Sequence, residues 1–327
     1  MSEPAAAADD ARSDFEVVPV GSKLLLSAAR RLAQASGYMG EDGGSVFLAG
    51  ARSQSVDLRL MWASVAPNRG GEARQVVLAV PGAGRTAVCF TTKPEGAGSE
   101  AELSRVVEFG CRSMASSRRT DIRLAQAILQ PRETAAAAAF DAAGFRTVGR
   151  LEYLRRPRPA AGAFAPVDAW PEGVEVRTYR SGDDDELARA LEASYADTLD
   201  CPELCGLRAT SDVIESHRSV GSWDPDFWRL VRLGGEPVGA SLFNPCPAGD
   251  TVELVYIGLA PRARGLGLGR LLMREGLAQA SGRPERFVTC AGDARNRPAK
   301  GLYDKLGFKR FDERIAKVLP LGGRSTG

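Results

Sequence analysis

The sequence predicts a mixed α/β protein made of two similar halves. Three observations carry that prediction: a length of 327 residues, an internal repeat, and strand-like runs that alternate with amphipathic helical ones in the second half. The length exceeds the roughly 100 to 200 residues of an ordinary core, so two domains are expected. The repeat emerges when the chain is slid over itself by 163 residues, which lays Phe145 on Phe308. The segment from Asp121, DIRLAQAILQPRETAAAAAFDAAGFR, then falls on PERFVTCAGDARNRPAKGLYDKLGFK from Pro284 without a gap. Arg123/Arg286, Arg132/Arg295, Asp141/Asp304 and Gly144/Gly307 coincide. So long a period indicates a duplicated domain rather than a stack of small units.

Between the halves, residues 157–172 are rich in Pro, Ala and Gly without sustained periodicity, which is linker composition. The expected layout is a first domain over 13–156, a second over 173–320, and tails at 1–12 and 321–327. In the second domain a strand at Val174–Tyr179 leads to a helix opening near Asp183, with Glu186 three residues later as a capping-box signal. A second helix covers Asp212–Ser219. Strands follow at Phe227–Leu233 and Pro237–Phe243, joined by a Gly-Gly-Glu turn, and at Val252–Leu259. Helix Leu268–Gln279, strand Arg286–Ala291, helix Pro298–Leu306 and strand Phe311–Leu319 complete it. The sheet should begin as an antiparallel meander and become parallel around residue 265.

Bulk properties exclude several classes. Forty-three basic and forty-one acidic residues give a net charge of +2, too weak a field for nucleic acid or an anionic membrane. The acidic N-terminus lacks the charged and apolar regions of a secretory signal, and no apolar run reaches the roughly 18 residues of a membrane span. A cytoplasmic protein is expected. The six cysteines are scattered, and Cys201 and Cys205 have no second Cys/His pair at zinc spacing, so neither disulfides nor a metal is implied. Oligomeric state is not encoded in any pattern.

The most informative stretch is PRARGLGLGRLL, Pro261 to Leu272. It joins a strand to a helix. A helix N-terminus offers unpaired N–H groups and about half a positive charge, and glycines let a phosphate approach without a Cβ in the way. The alternative is a tight turn holding nothing. The dinucleotide fingerprint fails because Arg270 stands where its third glycine belongs, and no G-x-x-x-x-G-K-[ST] loop exists. R-x-x-G-x-G, Arg264 to Gly269, does fit, and it resembles the acetyl-CoA signature of the GNAT superfamily of N-acetyltransferases. The apolar-x-Pro step Leu259-Ala260-Pro261 and the run NRPAKGLYDKLGF, Asn296 to Phe308, extend the resemblance over the second half. The repeat carries it more weakly into the first half. It implies two tandem GNAT-like domains, the N-terminal one degenerate.

The resemblance implies an acetyl-CoA-dependent N-acetyltransferase acting on an amine, with the acetyl group passed directly in a ternary complex. The backbone of Arg264, Gly265, Leu266, Gly267, Leu268 and Gly269, with Arg270, would hold the pyrophosphate. Amides near Ile257, Gly258 and Leu259 would lie along the pantetheine, with Gly258 as a bulge that splays the strand. Glu253 takes the position of a general base in several relatives; by itself it could be an edge carboxylate in contact with water. Tyr303 takes the position of the acid that protonates the departing thiolate, although Ala299, Leu302, Tyr303 and Leu306 also form an ordinary core stripe. Asn296 could cap a helix or bond the pantetheine. His217, the only histidine, borders the acceptor region on a short helix. There Asp197, Asp200 and Glu203 would suit a cationic small-molecule amine, with Trp223 and Trp228 as possible walls. At the same 163-residue shift, Ala101–Val106 replaces the glycine loop and puts Glu102 where a phosphate would sit, while Phe90 and Phe140 replace Glu253 and Tyr303. Two other readings stay open: an acyl-CoA-binding scaffold without turnover, and an enzyme acting on a protein N-terminus or lysine.

Overall fold

The computed structural model of the chain describes residues 14–67, 71–117 and 120–322; the tail expected at 1–12 and most of that at 321–327 lie outside them. The chain forms two compact units that interleave in sequence. Unit 1 runs up to Val80 and adds Cys89–Thr120 and Glu133–Gly144, and unit 2 takes Pro81–Val88, Asp121–Arg132 and everything from Phe145. The units therefore do not part at residues 157–172.

Unit 1 contains β1 (Glu16–Pro19), α1 (Ser22–Ala35), α2 (Gly43–Ser53), β2 (Met61–Val65), most of β3 (Val76–Gly82), the second half of β4 (Thr86–Thr91), α3 (Ser99–Ser116), and later α4 (Thr134–Ala142). β2 pairs antiparallel with β1 and β3. Ala28 and Leu32 of α1 pack on Met61, Ala63, Val76 and Leu78, the inward positions of these strands.

Unit 2 holds β5 (Leu124–Leu129), β6 (Arg146–Pro157), β7 (Val174–Thr178), α5 (Asp184–Tyr195), α6 (Thr210–Arg218), β8 (Trp228–Leu233), β9 (Glu236–Cys246), β10 (Thr251–Leu259), α7 (Leu268–Ala280), β11 (Phe287–Asp293), α8 (Arg297–Lys305) and β12 (Lys309–Pro320). From β7 on, these elements occupy nearly the residues expected from periodicity. From β5 the strand order is β5-β12-β6-β11-β10-β9-β8-β7. β7 to β10 form the antiparallel meander, β10 and β11 run parallel, and Thr86–Val88 of β4 runs parallel to β5.

The position of the two last strands was not expected. β6, which ends the first half, lies beside β11 of the second, and β12, which ends the second half, lies beside β5 of the first. The two also pair antiparallel with each other along nearly their whole length. Each half thus closes its sheet with the other's final strand. Fixed period-2 alternation then directs Leu154 of β6 into the core with Val252, Leu254, Met273, Leu277, Val288, Tyr303 and Phe308. About 25 cal/mol per Å2 of apolar surface removed from water favours that arrangement.

Glu186 does not reach back to cap α5. Its carboxylate binds Arg177 of β7 at 2.7 Å and Arg232 of β8 at 2.5 and 2.8 Å, while Asp183 is itself held by Arg177. Two guanidinium partners outcompete a single backbone amide.

Candidate active site

The site begins where two parallel strands part. β10 and β11 pair from Thr251↔Phe287 to Leu254↔Cys290 and no further. Between Leu254 and Tyr256 the register of β10 against β9 slips by one residue, so Val255 is the bulged residue. Beyond it the ladder to β9 is regular: Tyr256, Gly258 and Ala260 face β9, as the bond from Ala260 N–H to the Val238 carbonyl shows, and Ile257 and Leu259 face the gap. The bulge is therefore at Val255 and not at Gly258. Glycine is needed at 258 for another reason. A Cβ there would stand 2.3 Å from the Tyr256 hydroxyl, which folds over it to bond Ser194 of α5.

At the far end of β10 the chain enters the glycine loop. Gly265 and Gly267 have φ of +77° and +76°, and Gly267 is the N-cap of α7. Nothing lies within 4 Å of where their Cβ atoms would be, so the loop is open there, and a helix leaves its first amides without intrahelical partners. The Arg264 side chain has a different task. It donates to the carbonyls of Leu259, Asp197, Ser194 and Ala196 at 2.7–3.1 Å, satisfying the C-terminal end of α5 and fixing the strand end beneath the loop. Leu268 is buried in the core and Leu266 is exposed on the loop.

Beside the loop is a groove of about 1070 Å3 between α7 and α8, lined by Arg156, Arg270, Arg274, Arg297 and Lys305, with no carboxylate among its lining residues. Phe164 of the linker forms one wall. Of these cations only Arg270 was singled out from sequence. Arg270 and Arg274 lie one turn apart on α7, an i, i+4 spacing that could have been read as one basic face. The glycine loop and this groove fit a nucleotide polyanion such as that of acetyl-CoA.

The gap between the strands is lined by Glu152, Asp200, Val255, Ile257, Gly292, Asn296, Lys300 and Tyr303 among others. Tyr303 is buried, and burial pushes its phenol well above the usual tyrosine range. Asn296 caps α8, its side chain accepting from Ala299 N–H at 3.2 Å, and lines the gap as well. Glu253 stands on the opposite face of β10 from Val252 and Leu254. The Cys246 thiol lies 4.0 Å from its Oε2, and burial raises its carboxyl above the usual range. Glu253 does not line the gap. Glu152 was missed from sequence. It comes from β6, is buried, and binds Lys300 at 2.7 and 2.9 Å and Arg310 at 3.2 Å.

The loop after α5 meets the gap from the other side. Asp200 accepts a hydrogen bond from Asp293 N–H at 2.7 Å. Arg295 fixes this junction, binding Glu203 at 2.6 and 2.8 Å, Asp293, and the Val148 carbonyl at 2.9 Å. Glu203, held by Arg295 at a pKa of about 2, is thus neutralised within the protein. Trp228 is fully buried with its indole N–H on Asn244, and Trp223 packs edge-on against it; neither lines the gap. His217 packs on the Tyr256 ring with its centroid 5.4 Å away, its Nε2 buried without a partner.

The sequence profile of the acetyltransferase (GNAT) family matches residues 192–308. A mycothiol acetyltransferase of Thermomonospora curvata is 32% identical over 228 residues, 67% of this chain and 73% of that protein. The chain belongs to the GNAT family. Mycothiol acetyltransferases of Streptomyces bingchenggensis and Acidothermus cellulolyticus are 34% and 33% identical, and the chain spans about half the length of each, 54% and 53%. A GCN5-related N-acetyltransferase of Sphaerobacter thermophilus, 20% identical, superimposes with a TM-score of 0.57 over 94% of this chain and 96% of its own. That likeness shows the GNAT fold along nearly the whole chain.

Viewed as a GNAT repeat, the first half differs from its sequence alignment in two places. α3 begins at Ser99 with Gly98 as N-cap, and Gly96 and Gly98 have φ of +87° and +78°. The glycine pair is therefore kept, and Ala101–Val106 lies inside the helix. A constant shift fails here because α3 has 18 residues and α7 has 13. Glu102 is bound to Arg74 at 2.9 Å rather than placed at a phosphate position. In the parallel ladders Val88 opposes Gln126 as Glu253 opposes Thr289, and Gln126 is the repeat mate of Thr289, so Val88 and not Phe90 replaces Glu253.

Proposed function

We propose that the chain is an acetyl-CoA-dependent N-acetyltransferase that acetylates a small-molecule amine by direct attack in a ternary complex, with the working centre in the second half. The observation that carries this is the alignment of the parting strands with the glycine loop: the edge of β10 at Ile257, unpaired with β11, leads from the α7 amides to Tyr303. In this reading the loop and the basic groove take the phosphates, the β10 edge takes the pantetheine amides, and backbone N–H groups at the bulge polarise the thioester carbonyl. Tyr303 protonates the departing thiolate. Glu253 is available as a base through water. The relatives' name supports a finer reading, in which the acceptor is the unacetylated form of mycothiol. The first half serves as a degenerate domain, with buried Phe140 at the repeat position of Tyr303.

Isothermal titration of acetyl-CoA into the wild type and Gly267→Glu tests this. One site per chain, lost in the variant, is expected; binding indifferent to the substitution would reduce the glycine loop to a turn. Thiol release with the unacetylated form of mycothiol then tests the acceptor.

A further inference from the structure

Of the carboxylates that line the gap, Glu152 is bound by Lys300 and Arg310 and Asp293 by Arg295, which leaves Asp200 to compare with Glu253 as the receiver of the acceptor's proton. Asp200 lies on the loop between α5 and α6, lines the gap between β10 and β11, and also lines the adjoining channel along Tyr256 to Leu259. Glu253 lines neither. The local geometry is centred on Gly292. A Cβ on Gly292 would lie 3.7 Å from Asp200 Oδ1 and 3.9 Å from Tyr303 Cε2, so the missing side chain leaves room between a carboxylate and a phenol. A general acid and a general base on either side of one small space is the arrangement that acyl transfer to an amine requires.

We infer that Asp200 is the general base of this site and takes the proton from the acceptor amine, a reading that rests on the acetyltransferase function proposed above. The balance is simple. The ammonium gives one proton to the Asp200 carboxylate, and the nitrogen lone pair forms the C–N bond to the thioester carbonyl. The C–S bond breaks as the carbonyl re-forms, the Tyr303 hydroxyl supplies the thiolate's proton, and the attacking nitrogen sheds its second proton to solvent.

The surroundings support the role. Asp200 is held in place by the Asp293 N–H, which bonds Oδ1, and by a hydrogen bond from the Asn296 side chain, both of them neutral donors that leave its charge unpaired. Arg295 does not neutralise it, being committed to Asp293 and Glu203. The charged and titratable groups around Asp200 include Asp293, Arg295, Cys201, Tyr256, Cys290 and Tyr303, and the Glu152–Lys300 pair lines the same gap. Burial, with the like charge of Asp293, raises its carboxyl above the ordinary aspartate range, toward the pKa that suits a base near neutral pH.

The test compares wild type, Asp200→Asn and Glu253→Gln in a thiol-release assay with acetyl-CoA and the unacetylated form of mycothiol, extended to a panel of primary amines. Asparagine keeps the carbonyl that accepts from Asp293 N–H, and acetyl-CoA titration reports whether the cleft is intact. We expect Asp200→Asn to bind acetyl-CoA as wild type does, to lose about 100-fold or more in kcat, and to lose the acid limb of its pH–rate profile. We expect Glu253→Gln to lose less than about tenfold and keep that limb. An Asp200→Asn enzyme with kcat and acid limb unchanged, or a larger loss in Glu253→Gln, overturns the assignment while leaving the acetyltransferase reading in place. A wild-type protein that binds acetyl-CoA and transfers to no amine overturns both.

Discussion

Arg150 and Glu313 are repeat mates, 163 residues apart, and their side chains form an ion pair between β6 and β12. The shift that superimposes one half of the sequence on the other therefore also names a physical contact. Such a contact requires the two final strands to lie side by side, as the exchange of β6 and β12 places them. A double-mutant cycle with Arg150→Ala and Glu313→Ala should give a coupling energy of about 0.5 to 1 kcal/mol in urea unfolding, small because the arginine is 60% exposed. Zero coupling would mean that solvent screens the pair completely and that the backbone ladder alone joins the two strands.

Gly276, on the buried face of α7, sets how closely that helix approaches β9. A Cβ there would stand 2.2 Å from Phe243 Cε2, and Phe243 is fully buried. Replacing a helical glycine by alanine ordinarily gains about 1 kcal/mol. Overpacking costs roughly 1 to 3 kcal/mol and should outweigh the gain. Gly276→Ala is thus expected to lower the melting temperature, and an increase would mean that α7 can move away from the sheet without penalty.

His217 gives a stability signal with a defined window. Burial, with the nearby Arg208 charge, lowers its pKa from 6.5 to about 4, so the folded protein holds it neutral where the unfolded chain would protonate it. Its contribution is complete above pH 6.5 and is lost as pH falls toward 4. Since it is the only histidine, urea midpoints of wild type and His217→Phe should diverge across that window, the wild type falling more steeply. Parallel curves would show that the imidazole is protonated in the native state.

Much of this fold is legible in the residues because local signals agree. Alternating apolar residues mark β7 to β10, Gly234 and Gly235 turn the β8–β9 hairpin at positive φ, and Asn296 caps α8 as its position before Pro298 implies. The glycine loop is legible because positive φ leaves little choice of residue at 265 and 267. The exchange of the last strands is not, since β6 and β12 have the same alternation whichever neighbour they pair with. For the same reason Glu152 is invisible as a cleft residue: its place depends on a pairing partner more than a hundred residues away. Asp200, Glu203 and Arg295 are each visible, but only three dimensions show that Arg295 occupies Glu203 and not Asp200.

The exchange also imposes an order in time. β12 follows every other described strand in the chain and lies between β5 and β6, both made more than 150 residues earlier. Until residues 309–320 leave the ribosome, β5 and β6 each present an unpaired edge, and an unpaired edge is a template for wrong partners. The sheet is closed there by a strand made long after both of its neighbours. Its maturation on the ribosome should therefore proceed as a single late event rather than as one domain followed by another.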